Sequence, residues 1–304
     1  MRFAAFFGLV STLVAVVRAQ DSLPVNGLPS RDPSLAKGPD GTYLLAVSKD
    51  RENWQSIGPA FPSGAPASTS PFLAAPNDEL WAPDVTWVEG RREYVMYYSA
   101  STIGSQNSGI FLATSPSGAA GTWTDHGLIF STKPGDPGNA IDPHLIIKPN
   151  GEWWLSWGSY FQGLYLSQLD PATGKLTGAE DVHIAQRFEN GGSEEASWVL
   201  PWNGEWYLFT SFDKCCLGLS STYNVRVAKS SGLLGPYVDK NGTSALQGGG
   251  TEIFATHGAI IGPGGQSLLV DDDGVVLVYH YYKPDGPYLG VNLVSFDGDW
   301  PTVY

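Results

Sequence analysis

The sequence predicts an all-β protein, a five-bladed β-propeller, on three observations. A turn ending in glycine recurs along the chain, at Gly41, Gly90, Gly151, Gly204 and Gly274. An aromatic or β-branched run follows each turn: Tyr43–Val47, Tyr94–Tyr98, Trp153–Trp157, Trp206–Thr210 and Val275–Tyr279. Such residues favour pleated, half-buried strands, and Asn-Gly and Asp-Gly favour tight hairpins. Successive turns are 49, 61, 53 and 70 residues apart, a length that fits one four-stranded blade. A β-sandwich would not demand a repeat of this size. Helical spacing is absent, and 37 Gly with 22 Pro punctuate the rest.

The ends of the chain bound where this fold lies. Arg2, the apolar run Phe3 to Val17 and the small residue Ala19 read as a secretory signal peptide over residues 1–19. The run is shorter than the ~20 residues that a membrane span needs. Residues 20–304 are then one secreted five-bladed propeller domain, large enough for a full core. Without Arg2 and Arg18 the basic residues fall from 17 to 15, against 30 acidic ones. Such a surface excludes nucleic acid and anionic membrane as partners, because both are recognised by basic patches. It suits a neutral substrate in an acidic medium; the protein is expected to be a monomer. The chain holds 11 Trp, 14 Tyr and 13 Phe, which fill cores and also offer flat apolar platforms for sugar rings. Its two cysteines are neighbours, Cys215 and Cys216, so no long-range disulfide framework exists between them; a vicinal disulfide and a free thiol pair are the alternatives. Asn241-Gly242-Thr243 is an N-glycosylation sequon.

Counting back nine residues from each turn glycine reaches Asp32, Trp81, Asp142, Glu195 and Gly265. Equivalent positions in a radial repeat lie at equivalent places around the axis. Three carboxylates and one Trp are therefore expected at one mouth of the central channel. Glycoside hydrolysis needs two carboxyl groups flanking the bond, one acid and one base or nucleophile. A third carboxylate nearby raises the pKa of the acid and keeps it protonated. A calcium site is the rival use of three acids, but no EF-hand-like run accompanies them.

Arg31-Asp32-Pro33-Ser34, Leu80-Trp81-Ala82-Pro83-Asp84, Asn139-Ala140-Ile141-Asp142-Pro143 and Glu195-Ala196 resemble the signature segments of glycoside hydrolase family 43. Ser211–Cys216, Ser221-Thr222-Tyr223 and Gly248–Thr251 extend the similarity, closest to the endo-acting arabinan hydrolases of that family. The resemblance implies a five-bladed propeller and inverting hydrolysis of plant cell-wall arabinan. It makes Asp32 the general base, Glu195 the general acid and Asp142 the residue that tunes and orients that acid. Trp81, Asn139, Ser159 and Phe161 are the candidate substrate-binding residues. Glu194, next to Glu195, is expected to face away because neighbouring strand residues alternate. Asp84 reads as a structural turn residue. Alternatives are an exo-acting arabinofuranosidase or β-xylosidase of the same family, a fructan hydrolase, and a sugar-binding propeller without catalysis.

The sequence departs from the family pattern at four points. Arg31 stands where a His usually precedes the base, and Ser197 where Pro usually follows Glu-Ala. Gly265 stands where many members carry a His that binds calcium through water. No cofactor or metal is therefore expected to be required, and His257 and His280 do not occupy that position. Finally, 11 residues separate Tyr43 from Trp54, against 29 between Tyr94 and Trp123. The first blade is expected to lack a strand, to leave backbone groups unpaired and to weaken the support of Asp32.

Overall fold

The computed structural model describes Ser22, Val25 and residues 27–44, 47–75 and 79–304. The leader expected over residues 1–19 lies outside them. Among the described residues no helix is long and apolar enough to cross a membrane.

The chain is an all-β propeller. A small first sheet holds β1 (Ala36–Lys37), β2 (Tyr43–Leu44) and β3 (Val47–Ser48). A blade follows with β4 (Trp81–Val88), β5 (Glu93–Ala100), β6 (Ser108–Ser115) and β7 (Thr124–Thr132). The next has β8 (His144–Ile147), β9 (Trp153–Trp157), β10 (Leu164–Leu169) and β11 (Val182–Ala185). The third holds β12 (Glu194–Trp202), β13 (Glu205–Phe212), β14 (Asn224–Ser230) and β15 (Thr251–Phe254). The last comprises β16 (Ile261–Asp271), β17 (Gly274–Lys283), β18 (Gly286–Ser295) and β19 (Thr302–Val303). Strands within each sheet are neighbours in chain order and pair antiparallel. Four full blades are thus present where five were expected. The first unit is a three-stranded sheet of two-residue strands, because the stretch from Tyr43 to Trp54 is too short to build more.

Burial explains why the second strand of each blade is apolar rather than alternating. Blades stack face to face, so inner strands are covered on both sides. β5 is buried from Tyr94 onward, and β17 from Val275 to Tyr282. The outer strand β7 alternates between exposed and half-buried residues along most of its length, as expected for a strand with one wet face. The core is accordingly a series of layers between sheets. Val95, Tyr97 and Ile110 pack on Leu145, Leu155 and Trp157. Ile146, Leu164 and Leu166 meet Val199, Leu208 and Ala228. Val225 and Val227 meet Leu268, Val275 and Leu277. The first sheet contributes little to such layers: Leu35, Tyr43 and Trp54 pack against Val276, Val278, Leu289 and Val291.

Polar contacts fasten that small sheet to the last blade. The β16–β17 turn carries Asp271, Asp272 and Asp273. Lys37 and Tyr43 both bond to the Asp271 carboxylate, whose side chain is 2% exposed. Arg51 Nη1 lies 3.5 Å from Asp271 and donates to Asp273 at 2.9 Å. Burial alone would raise the Asp271 pKa, but its bonds to Lys37 and Tyr43 outweigh this and hold it below the usual carboxylate range. Backbone pairing adds to the closure: Pro29 bridges Tyr288, and Leu289 N–H donates to the Leu28 carbonyl. Asp271→Asn strands two cations against a buried neutral group, which is expected to cost about 2–3 kcal/mol. A thermal melt should fall by roughly 5 °C; an unchanged melting temperature would remove the latch from the account of how the ring closes.

Candidate active site

Five dipeptides line the axial hollow: Asp32-Pro33, Ala82-Pro83, Asp142-Pro143, Ala196-Ser197 and Gly265-Gln266. The first residue of each has left-handed backbone, with φ of 45°, 41°, 56°, 54° and 58°. Four of these are not glycine, and such a conformation is costly for an L-residue unless its surroundings hold it. In β4, β12 and β16 it coincides with register shifts against the partner strand. These are bulges that re-aim side chains. They correct the nine-residue count: the residues equivalent to Asp32 and Asp142 are Ala82 and Ala196, each one position after the counted Trp81 and Glu195. Pro follows in three of the dipeptides. Ser197 takes that place beside the acid, with its buried hydroxyl lacking a hydrogen-bond partner among the described residues.

Glu195, one residue before Ala196, still joins the two aspartates: its charge acts on Asp142, and the charge of Asp32 acts on both. Ser159 Oγ donates to Glu195 Oε2 at 2.6 Å and Tyr223 Oη donates to Oε1 at 2.8 Å. Asp142 Oδ2 accepts the Ala196 backbone N–H at 3.0 Å. Loss of water, then the charges of Glu195 and Asp32, push Asp142 well above the usual carboxylate range. Glu195 is raised by loss of water and by Asp32, while the hydroxyls of Ser159 and Tyr223 pull it back. The arrangement therefore retains a proton among its carboxyls at a pH where free acids would have lost theirs.

Asp32 is held from the far side. Its backbone N–H donates to His280 Nδ1 at 3.2 Å, and its Oδ1 lies 3.2 Å from the same nitrogen. Gln266 braces the opposite wall, accepting from Ser211 Oγ and donating to the Ala196 carbonyl, both at 2.6 Å. His280, Tyr223 and Gln266 had no assigned role in the sequence. Tyr223 sat inside a matching segment, which was the one signal available.

Other expected residues fall in varied places. Trp81 is half-buried and lines an adjoining apolar hollow with Phe61, Leu80, Met96 and Tyr98. Asn139 is buried behind Asp142, and its side-chain oxygen lacks a hydrogen-bond partner among the described residues. Ser159 contacts Glu195 itself. Phe161 is 44% exposed, on a turn where Tyr160 and Phe161 are both left-handed. Asp84 is a correction. It lies within β4 at 1% exposure, accepts Leu145 N–H at 2.6 Å and Ser34 Oγ at 3.3 Å, and sits 3.3 Å from His144. It ties the first sheet and the next two blades together. Cys215 and Cys216 are disulfide-bonded to each other. The sequon residue Asn241 lies on an exposed turn.

Resemblance implies a calcium ion near the axis, held through a histidine at position 265. The residues present do not fit it. A Cβ at Gly265 would overlap Asp32 Oδ1 and lie 2.8 Å from His280 Nδ1. Among the described residues no group of three or more His, Cys, Asp or Glu is arranged around a metal site.

Glu194 points away from the hollow. It pairs with Phe212 while Glu195 pairs with Ser211. Burial raises its pKa to about 8 against the opposing pull of Arg187 and Thr210. The folded value lies above the unfolded one, so the neutral acid favours folding below about pH 4.5, and that stability drains as pH rises to about 8. The pH-dependent loss is on the order of 5 kcal/mol. Glu194→Gln should flatten the decline in urea midpoint between those pH values; an unaltered slope would place the titration elsewhere.

Comparisons with known proteins show the family. The profile of Glycosyl hydrolases family 43 matches residues 39–300. The Extracellular endo-alpha-(1->5)-L-arabinanase 1 of Bacillus subtilis is 37% identical over 287 residues, 89% of this chain and 86% of that protein. The crystal structure of a family 43 endo-arabinanase from Bacillus licheniformis superposes with a TM-score of 0.82 at 35% identity, covering 93% of this chain and 99% of that one. An exo-1,5-alpha-L-arabinanase from a bovine ruminal metagenomic library gives the same TM-score at 29% identity, with the same coverage. With segments from both ends of the propeller matched and three acids gathered at its axis, the chain belongs to glycosyl hydrolases family 43.

Proposed function

We propose that this glycoside hydrolase cuts 1,5-α-L-arabinofuranosidic bonds inside arabinan, with inversion at the anomeric carbon. The observation that carries the reading is the gathering of Asp32, Asp142 and Glu195 at the axis, in a chain 37% identical to an extracellular endo-arabinanase. Glu195 gives its proton to the leaving oxygen. Its raised pKa keeps that proton available, and Ser159 and Tyr223 fix the direction in which the carboxyl presents it. Asp32 takes a proton from the attacking water on the other face of the sugar. Asp142 holds its own proton tightly and keeps the negative charge of the trio low while Glu195 is loaded. Trp81 and Phe161 offer apolar faces for neighbouring sugar rings, and Asn139 supports the loop that carries Asp142.

The small first sheet is read as a reduced fifth blade, since its Asp32-Pro33 joins the other four dipeptides around one hollow. Secretion follows the leader-like start and the extracellular relative. The protein is taken to work as a monomer and without a metal cofactor. Exo-action is the second reading, favoured by the equal fit to an exo-arabinanase structure. Loops at the ends of the cleft separate the two.

Product analysis on linear 1,5-α-arabinan decides between them. Mixed oligosaccharides in the first minutes establish endo-action; arabinose alone establishes exo-action. Asp32→Ala and Glu195→Ala should each reduce kcat by about 10³-fold or more, and Asp142→Ala by about 10²-fold. Wild-type levels in any of the three would remove that residue from the mechanism. Tyr223→Phe deletes a donor to the Glu195 carboxylate, so the Glu195 pKa rises further. The basic limb of the kcat/KM profile should move to higher pH, and a shift to lower pH would contradict the assignment of the acid.

A further inference from the structure

We propose that His280 is a positioning residue for Asp32, standing where a metal-centred network would otherwise support the base, so that hydrolysis needs no bound metal ion. The proposal rests on the arabinan-hydrolysis reading above. Gly265 leaves no room for a side chain between β16 and Asp32. The imidazole of His280 enters that space from β17 and is fully buried. Its Nδ1 accepts the Asp32 backbone N–H at 3.2 Å, and the Asp32 carboxylate oxygen lies 3.2 Å from the same nitrogen. Its Nε2 lies 3.1 Å from Tyr282 Oη, which accepts the Cys216 backbone N–H at 2.7 Å. The vicinal cysteine turn thus anchors Tyr282, Tyr282 anchors the ring, and the ring faces the base. One side of the imidazole also stacks on Tyr223, with ring centroids 5.7 Å apart, and Tyr223 donates to Glu195. One buried ring therefore contacts the support of the acid and the base alike. A base misplaced by an ångström loses much of its rate, while substrate held along the cleft is bound as before.

Asparagine can place a polar atom near the Nδ1 position and glutamine near the Nε2 position. His280→Ala is expected to lower kcat on linear arabinan by about 10²-fold with KM changed less than about threefold. His280→Asn should recover about tenfold of that loss, and His280→Gln should not. Extensive dialysis of the wild type against EDTA should leave kcat unchanged. If His280→Ala does not fold, Tyr282→Phe keeps the packing and removes the Nε2 partner, with an expected fall in kcat of about fivefold at unchanged melting temperature. The proposal is overturned by wild-type kcat in the folded His280→Ala or Tyr282→Phe protein, by equal recovery in the Gln variant, or by an EDTA loss that calcium restores. The contact is also read without substrate, since the chain has five histidines whose ring nitrogens can be resolved by NMR. Asp32→Ala should shift the His280 Nδ1 resonance, and an unmoved resonance overturns the proposal even where the wild type fails to cleave arabinan.

Discussion

Strands from several sheets converge on one axis, and there is not enough space for every inward side chain. The chain meets this crowding with left-handed backbone at Asp32, Ala82, Asp142, Ala196 and Gly265. Three of these lie within β4, β12 and β16, and Asp32 and Asp142 lie just before β1 and β8. Small residues fill three of these places, and aspartates fill the other two. At Gly265 the approach is so close that only a hydrogen fits against Asp32. The strain at the four non-glycine positions is offset by packing of the full blades around them, which makes the buried layers between sheets a condition for the site and not only for stability.

Bringing carboxyls together away from water has electrostatic consequences. Two buried like charges cannot both be kept without strong donors, and the donors here are few: two hydroxyls on Glu195 and one backbone N–H on Asp142. The group with hydroxyl donors is pulled back towards ionisation, while the one with a single amide is driven further from it. Glu194 shows the same physics. It is buried next to Glu195 with one oxygen lacking a hydrogen-bond partner among the described residues.

The first sheet is the exception to the uniform blade. It cannot bury much apolar area, so ions and hydrogen bonds at the β16–β17 turn take over part of that work. Lys37, Tyr43 and Arg51 converge on one buried carboxylate. The N-terminal segment is also sewn along β18 through Pro29 and Leu28. Asp32 lies between these two attachments, and His280 braces it from the axis. Together they supply support that a longer blade would have provided through strand pairing.

Much of this was legible in the residues themselves. The hairpin glycines, the aromatic runs behind them and the three acids near the strand starts are local features, and local features survive in a sequence. So is the identity of the family, carried by short segments in a set order. Tertiary structure decided the rest, for two physical reasons. A bulge adds one residue without leaving a compositional mark, so counting put Trp81 and Glu195 in the ring where Ala82 and Ala196 stand. Contacts across sheets join residues far apart in the chain: Asp84 with Leu145, Ser159 with Glu195, and His280 with Asp32. None of those pairs has a spacing that could be read in advance, because the distance between them is set by how the sheets close around the axis.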